Sequence, residues 1–153
     1  MIKLKPLLSS ILISLGTGII AAIITMGSMN LYEKVNLPAL SPPSVLFSIV
    51  WSILYILMGI SSYLIYISDN SNRNSALTIY FIQLFFNFIW PIIFFNFENF
   101  LLSFIWLIIL WILILAMIIS FYKINPIASY LQIPYLLWVT FAGYLNLAIY
   151  LLN

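Results

Sequence analysis

The sequence contains no cysteine and no histidine among its 153 residues. It therefore has no disulfide, no thiolate nucleophile and no imidazole base, and it lacks the usual side chains that hold zinc or the axial position of haem. We predict no metal site and no catalytic residue of the nucleophile–base kind. Any chemistry has to use tryptophan, tyrosine, amide side chains or a bound ligand.

Charged residues are nearly as scarce. Lys and Arg number five and Asp and Glu three, so 5% of the chain is charged, whereas an average soluble domain has about 25%. A soluble domain of this length covers its outside with ionisable groups, and eight of them are too few. Lipid is therefore the predicted solvent. The net charge of +2 is carried by scattered residues, which excludes the basic patch of a nucleic-acid-binding protein.

Long apolar runs make up most of what remains. A run of about 20 apolar residues crosses a bilayer, and five such runs lie at residues 7–29, 46–67, 77–97, 100–122 and 127–152. No charged residue lies inside any of them. The sequence predicts an all-α membrane protein, a bundle of five transmembrane helices that forms a single domain over residues 1–153. Only the connection at residues 30–45 is long enough to carry a site.

The positive charges predict the orientation of the bundle. Short connections with more Lys and Arg face the cytoplasm. Lys3, Lys5, Arg73 and Lys123 share one side, and Lys34 stands alone on the other. We expect the amino terminus in the cytoplasm and the carboxyl terminus outside, and the membrane to be a bacterial plasma membrane.

Three predicted helices have a face that combines an indole with polar groups. Residues three and four apart share a helix face. The faces are Trp51, Tyr55, Met58 and Ser62; Gln83, Asn87, Trp90 and Phe94; and Tyr135, Trp138, Ala142 and Asn146. Anchoring of aromatic rings at the membrane interface is one interpretation. Gln83 and Asn87 favour another, since an unpartnered amide in hydrocarbon costs several kcal/mol, so we expect them to face protein. The three faces then enclose a cavity for a planar apolar ligand.

Proline and small residues add two expectations. Pro91 and Pro134 fall inside predicted spans, where each should bend its helix and shape the cavity. Ser14, Gly18 and Ala22 form a ladder of small residues that allows close approach of another helix. Packing within the bundle and a homodimer seam are both compatible with this ladder.

Three blocks of sequence occur in an order that resembles a known family. They are residues 37–43 (LPALSPP) followed by Phe47, Val50, Trp51, Leu54, Tyr55, Met58 and Gly59; then Asn87, Trp90, Phe94 and Phe95; then residues 134–138 (PYLLW) with Phe141, Ala142, Tyr144, Leu145 and Asn146. The pattern resembles the TspO/MBR family, which comprises the translocator proteins, or peripheral-type benzodiazepine receptors, and the tryptophan-rich sensory proteins. The resemblance covers about residues 32–153.

The resemblance implies a five-helix bundle whose long first loop caps a pocket, in a protein that is often a homodimer. The family's ligands are porphyrins, sterols and benzodiazepine-type drugs. The residues carried over as ligand-binding candidates are Tyr32, Pro42, Pro43, Phe47, Trp51, Tyr55, Asn87, Trp90, Trp138, Ala142 and Asn146. Trp51 and Trp138 are the candidates for tetrapyrrole contact or light-dependent chemistry. Porphyrin would be a ligand and not a covalently bound cofactor.

The sequence departs from the family pattern at several places, among them Trp106, where many relatives have an acidic residue. Leu31 and Leu40 stand where family members often have tryptophan, and the carboxyl end lacks the basic residue of a sterol-recognition pattern, so no specific sterol binding is predicted.

The predicted function is a tetrapyrrole-binding membrane sensor or scavenger that promotes light-dependent porphyrin degradation and stress signalling. The alternative is a small transporter or channel for apolar or lipid-like solutes. It is less favoured because the spans hold no carboxylate and five spans do not divide into paired repeats.

Overall fold

The computed structural model describes residues 1–153 as a helical chain without strands. The helices are α1 (Leu4–Thr25), α2 (Leu31–Lys34), α3 (Ser44–Tyr66), α4 (Arg73–Pro91), α5 (Phe100–Tyr122), α6 (Pro126–Tyr130) and α7 (Ile133–Leu152). A 3₁₀ turn, Met26–Ser28, extends α1, and a π-helical turn, Ile92–Asn96, extends α4. Five segments are long and apolar enough to cross a membrane: α1, α3, α4, α5 and the pair α6 and α7. The prediction of an all-α membrane protein with five transmembrane helices is confirmed.

The helix α4 begins earlier than its apolar run. Its first residue is Arg73, whereas the hydropathy pattern starts at residue 77. The Arg73 guanidinium donates hydrogen bonds to the carbonyls of Tyr66 and Ser68, at 3.2 and 3.3 Å, which ties this end of α4 to the end of α3. Hydropathy marks the length of helix in contact with lipid, and the helix itself continues into the polar boundary.

The two span prolines act differently from each other. Pro91 is the last residue of α4, and the chain continues from it as the π-helical turn. Pro134 is the second residue of α7, where a missing N–H leaves no hydrogen bond unmade. The expectation of a bend at Pro134 inside one continuous helix is therefore wrong, because the fifth span breaks at residues 131–132, before the proline. Asn125 caps the short helix before this break by accepting hydrogen bonds from the N–H groups of Ile127 and Ala128.

The alternating direction of the spans gives the bundle two different ends. The amino terminus and residues 67–72 and 123–125 lie at one end, which we call the amino-terminal end. Residues 29–43, residues 97–99 and the carboxyl terminus lie at the other, which we call the loop end. The Lys3 N–H donates to the Tyr63 hydroxyl at 2.8 Å at the first end, and the Asn36 N–H donates to the Asn153 side chain at 2.9 Å at the second.

Small residues bring α1 and α3 into close contact. The Ser14 hydroxyl donates to the Tyr55 carbonyl at 2.6 Å, and a Cβ atom on Gly59 would lie 2.5 Å from the Cα atom of Ile11. Gly18 lies against the ring of Tyr55. Two members of the predicted ladder, Ser14 and Gly18, therefore pack inside the bundle, as the first of its two interpretations requires.

The interior is densely filled toward the amino-terminal end. Fully buried side chains there and at the middle of the bundle include Ile65, Leu110, Ile114, Met117 and Phe121, each 0% exposed. Toward the loop end the helices leave open space between them, which positions the candidate site.

Candidate functional site

A cavity of 550 Å³ opens in the loop-end half of the bundle. Small-molecule sites have volumes of about 300–1,000 Å³. The second half of α1, the first half of α3, the end of α4 and the second half of α7 form its walls, and 17 of its 25 lining residues are hydrophobic. It is thus large enough for a small organic molecule and predominantly apolar.

Eight of the eleven predicted ligand-binding residues line this cavity. They are Tyr32, Phe47, Trp51, Tyr55, Asn87, Trp90, Ala142 and Asn146. They come from α3, α4, α7 and the first connection, so the structure brings together residues that lie more than 100 positions apart in the chain. The role of each in ligand binding stays a prediction.

The other three predicted residues do not line the cavity. Pro43 is exposed at the start of α3, and the Pro42 carbonyl accepts a hydrogen bond from the Tyr32 hydroxyl at 3.3 Å. Trp138 packs edge-on against Phe47, with ring centroids 5.6 Å apart, and Phe47 is itself on the cavity wall. Trp138 is therefore one ring removed from the cavity, and the two indoles Trp51 and Trp138 do not share its wall.

Trp51 lies at the centre of an aromatic cluster. Its ring centroid is 5.7 Å from that of Tyr55, 6.2 Å from that of Tyr135 and 6.4 Å from that of Trp90. Aromatic pairs at such separations attract each other beyond simple burial of area. The cluster gives the cavity a wall of nearly fixed ring planes, which suits a flat ligand.

The hydrogen-bonding state of the indoles distinguishes Trp51 further. Three of the five indole N–H groups have partners within the protein: Trp90 donates to Asn146, Trp106 to the Phe86 carbonyl and Trp111 to Thr140. The Trp138 N–H is buried without a partner. Trp51 makes no hydrogen bond to protein and is half-buried on the cavity wall, so its N–H is free to donate to a ligand.

A chain of hydrogen bonds runs behind the aromatic cluster. The Tyr55 hydroxyl donates to the Asn87 side-chain oxygen at 2.5 Å, the Asn87 amide donates to the Tyr135 hydroxyl at 2.7 Å, and Tyr135 donates to the Gln83 side-chain oxygen at 2.8 Å. Gln83 is 0% and Asn87 2% exposed, so both amides face protein, as the sequence predicts. The chain fixes the orientation of the Tyr55 ring, and Tyr55 supports Trp51.

Asn146, on the α7 side of the cavity, links α4, α5 and α7 by hydrogen bonds. Its side-chain oxygen accepts from Trp90 at 3.1 Å and from Ser103 at 3.0 Å, and its amide donates to the Phe100 carbonyl at 2.8 Å. Asn87 likewise uses its oxygen and one N–H on protein. A ligand in the cavity therefore meets mostly ring faces and aliphatic groups, while these amides keep the wall rigid.

Tyr32 connects the first loop to the wall. Its ring packs edge-on against Phe47 at 5.7 Å. Burial raises the pKa of its hydroxyl above the ordinary value. The hydroxyl is therefore protonated at neutral pH and able to donate. Closure of the loop over the cavity stays a prediction.

The contribution of α1 was absent from the sequence-based candidates. Nine lining residues come from positions 15–29, among them Gly18, Ala22 and Met26. The available signal was the small-residue ladder, because a wall that is close to its neighbours needs small side chains. The ladder predicted close packing, and at Ala22 the same face turns from packing against α3 to lining the cavity.

Removal of the central amide is expected to destabilise the protein. Asn87→Leu keeps the approximate shape but leaves the Tyr55 hydroxyl without its acceptor and the Tyr135 hydroxyl without its donor, so we expect a loss of about 2–4 kcal/mol in the free energy of unfolding. Thermal unfolding in detergent micelles, followed by circular dichroism, measures the loss. Asn74→Leu is the control, since this exposed side chain on the same helix makes no hydrogen bond. Equal midpoints for both variants would contradict the network's role.

Comparison with known proteins gives consistent similarities. The model of the TspO/MBR family matches residues 10–152. The chain is 38% identical over 152 residues to the tryptophan-rich protein TspO of Archaeoglobus fulgidus, covering 99% of both chains. It is 30% identical over 122 residues to the tryptophan-rich sensory protein of Cereibacter sphaeroides, covering 80% of this chain and 76% of the relative. The human translocator protein is also 30% identical over 122 residues, which cover 78% of this chain and 72% of the human one.

Proposed function

This integral membrane protein belongs to the TspO/MBR family, and from that premise we propose that it binds a protoporphyrin-type tetrapyrrole in the cavity and acts as a sensor or scavenger of such molecules. The observation that carries the proposal is Trp51, an indole with a free N–H on the wall of a 550 Å³ apolar cavity. A macrocycle needs a flat apolar surface and few hydrogen bonds, and this wall offers both.

Affinity would come mainly from apolar burial. Each Å² of apolar surface removed from water contributes about 25 cal/mol, and a flat macrocycle has two large apolar faces. The rings around Trp51 are already held in place by Asn87 and Tyr135, so little order has to be gained on binding. The proposal therefore relies on a rigid wall rather than on specific polar contacts.

The carboxylates of a porphyrin would remain at the mouth of the cavity. Lys34 is exposed on α2, two residues from Tyr32, and it is the one Lys or Arg at the loop end. Glu33 and Glu98 lie at the same end. An exposed ion pair with a propionate contributes about 0–1 kcal/mol, so Lys34 would orient the ligand more than hold it.

The proposal includes light-dependent degradation of the bound porphyrin. A bound porphyrin that absorbs light passes its energy to dissolved dioxygen, and the activated dioxygen adds to the macrocycle and opens it. Trp51 lies on the cavity wall, so its own oxidation should accompany porphyrin loss. Illumination in air and under argon separates this chemistry from simple binding, since only the aerobic sample should lose porphyrin absorbance.

The location and assembly of the protein belong to the same proposal. The amino-terminal end contains Lys3, Lys5, Arg73 and Lys123, which supports a cytoplasmic amino terminus and a carboxyl terminus outside, in a bacterial plasma membrane. Only 11% of the apolar window of α1 is buried, compared with 28–33% in the other spans. This uncovered surface supports assembly as a homodimer, which the mass of the detergent-solubilised complex would measure.

Transport has no comparable support. Proton-coupled carriers keep a carboxylate within the membrane. Glu33, Asp69 and Glu98 all lie outside the transmembrane segments.

The binding proposal is tested by titration of protoporphyrin into the purified protein while indole fluorescence is recorded. We expect Trp51→Leu to weaken binding by about tenfold or more, which corresponds to about 1.4 kcal/mol of lost contact. Trp111→Leu is the matched control, because this indole lies on α5 and is not part of the cavity wall. Trp138→Leu should change affinity less than twofold. Equal affinity of wild type and Trp51→Leu would defeat the assignment.

A further inference from the structure

A second concave site lies at the opposite end of the bundle from the cavity. It is a groove of 470 Å³ between the start of α1, the end of α3 and the start of α4. Its wall combines one cation and several hydroxyls with apolar side chains. The residues used below are Lys5, Ser9, Ser62, Leu77, Tyr80 and Phe81.

Tyr80 is the unexplained group in this groove. Its side chain is 1% exposed, and its hydroxyl is buried with no hydrogen-bond partner in the protein. A buried hydroxyl without a partner costs about 1–3 kcal/mol. The neighbouring Ser62 hydroxyl donates to the Gly59 carbonyl at 3.0 Å and makes no hydrogen bond with Tyr80. A polar atom from outside the chain would satisfy Tyr80 if it entered the groove.

The positive charge of the amino-terminal end indicates that the bound group would be anionic. Four of the five Lys and Arg residues lie at the amino-terminal end, with Asp69 as the only acidic residue there. Lys5 is exposed and lines the groove itself. The groove therefore attracts an anionic group, since juxtamembrane cations favour anionic lipid by about 1 kcal/mol each.

The length of the groove along α1 also limits which ligand fits it. The groove follows α1 from Lys5 to Ile13, eight residues that rise about 12 Å at 1.5 Å per residue. It runs from the charged end of the helix into the apolar span, past Leu77 and Phe81. A ligand that fits has an anionic head at Lys5 and an apolar tail along the deeper wall.

We propose that this groove binds an anionic phospholipid of the membrane. The phosphate pairs with Lys5, one acyl chain lies against Ile13, Leu77 and Phe81, and a glycerol ester carbonyl between them accepts the hydrogen bond of Tyr80. The inference does not depend on tetrapyrrole binding, because the two sites share no lining residue.

Native mass spectrometry and thermal unfolding test the proposal. The protein is prepared in detergent with added phosphatidylglycerol, phosphatidylcholine or inorganic phosphate. We expect one phosphatidylglycerol to be retained and to raise the unfolding midpoint, because a ligand that binds only the folded state stabilises it. Phosphatidylcholine and inorganic phosphate should neither be retained nor raise the unfolding midpoint.

Two variants and their controls localise the effect. Lys5→Gln and Tyr80→Phe should each lower the retention of phosphatidylglycerol at least fivefold. Lys123→Gln and Tyr130→Phe, exposed residues at the same end, should change it less than twofold. Without lipid, Tyr80→Phe should be at least as stable as wild type, since it removes only an unpartnered hydroxyl.

Equal retention of phosphatidylcholine, equal stabilisation by inorganic phosphate, or an equal loss in Lys5→Gln and Lys123→Gln would each overturn the proposal. The first outcome would indicate unselective lipid contact, the second a soluble anion site, and the third attraction by the summed charge of this end.

Discussion

Gly59→Val is expected to destabilise the protein strongly. A Cβ atom at this position would lie 2.5 Å from the Ile11 Cα atom and 2.9 Å from its backbone nitrogen. Backbone atoms cannot rotate away as side chains do, so α1 and α3 have to move apart. That movement breaks the Ser14 hydrogen bond to the Tyr55 carbonyl and loosens the support of the cavity wall. We expect a loss on the order of 3 kcal/mol in the free energy of unfolding.

Gly16→Val is the matched control. It lies on α1, and a Cβ atom there has no neighbour within 4 Å. Both variants replace a helical glycine by the same β-branched residue, so their propensity effects cancel. The unfolding midpoint of Gly16→Val should stay close to that of wild type. Equal losses in the two variants would show that close α1–α3 contact does not stabilise the bundle.

Ala22→Phe is expected to abolish tetrapyrrole binding while the protein remains folded. Ala22 is exposed and lines the cavity from α1. A phenyl ring there extends into open space instead of into packed atoms, so it fills the place proposed for the macrocycle. We expect the affinity for protoporphyrin to fall by about 30-fold or more, which corresponds to about 2 kcal/mol.

Ile20→Phe, the same aromatic replacement two residues away, separates blocking of the cavity from a general effect of a phenyl ring on α1. Ile20 is 53% exposed on α1 and is not part of the cavity wall. Ile20→Phe should bind protoporphyrin like wild type. Both variants should elute as folded protein, with unfolding midpoints within a few degrees of wild type. Retention of full affinity by Ala22→Phe would place the ligand outside this cavity.

Hydropathy alone predicted the number and the approximate position of the spans, because a bilayer demands apolar length and little else. It could not predict where helices begin in polar sequence, as α4 does at Arg73, or where a span breaks. The interruption at residues 131–132 includes Gln132, which is 0% exposed with both side-chain polar atoms unpartnered. α6 and α7 both pack against α5 on either side of this break, and its local signal is Pro134 in the first turn of α7.

The candidate site was predictable where side-chain chemistry differed from lipid-facing sequence. Trp51, Tyr55 and Asn87 were found because indole, phenol and amide groups recur at helical spacing. The lining residues of α1 were not found, since Gly18, Ala22 and Ile19 are equally compatible with a lipid-facing surface.

Trp138 shows a different limit of sequence reasoning. It shares a helix face with Ala142, which lines the cavity, yet the ring of Phe47 packs against it and takes its place on the wall. Spacing along one helix cannot show which side chain of a neighbouring helix will intervene. The two indoles are similar in sequence context, and only the three-dimensional arrangement separates them.

The most direct test of the whole account is a structure of the protein with protoporphyrin bound in lipid nanodiscs or crystals. We expect the macrocycle between α1, α3, α4 and α7, with one face against the Trp51 indole and its carboxylates toward Lys34. A macrocycle bound on the outer, lipid-facing surface of the bundle, with the cavity beside Trp51 unfilled, would contradict it.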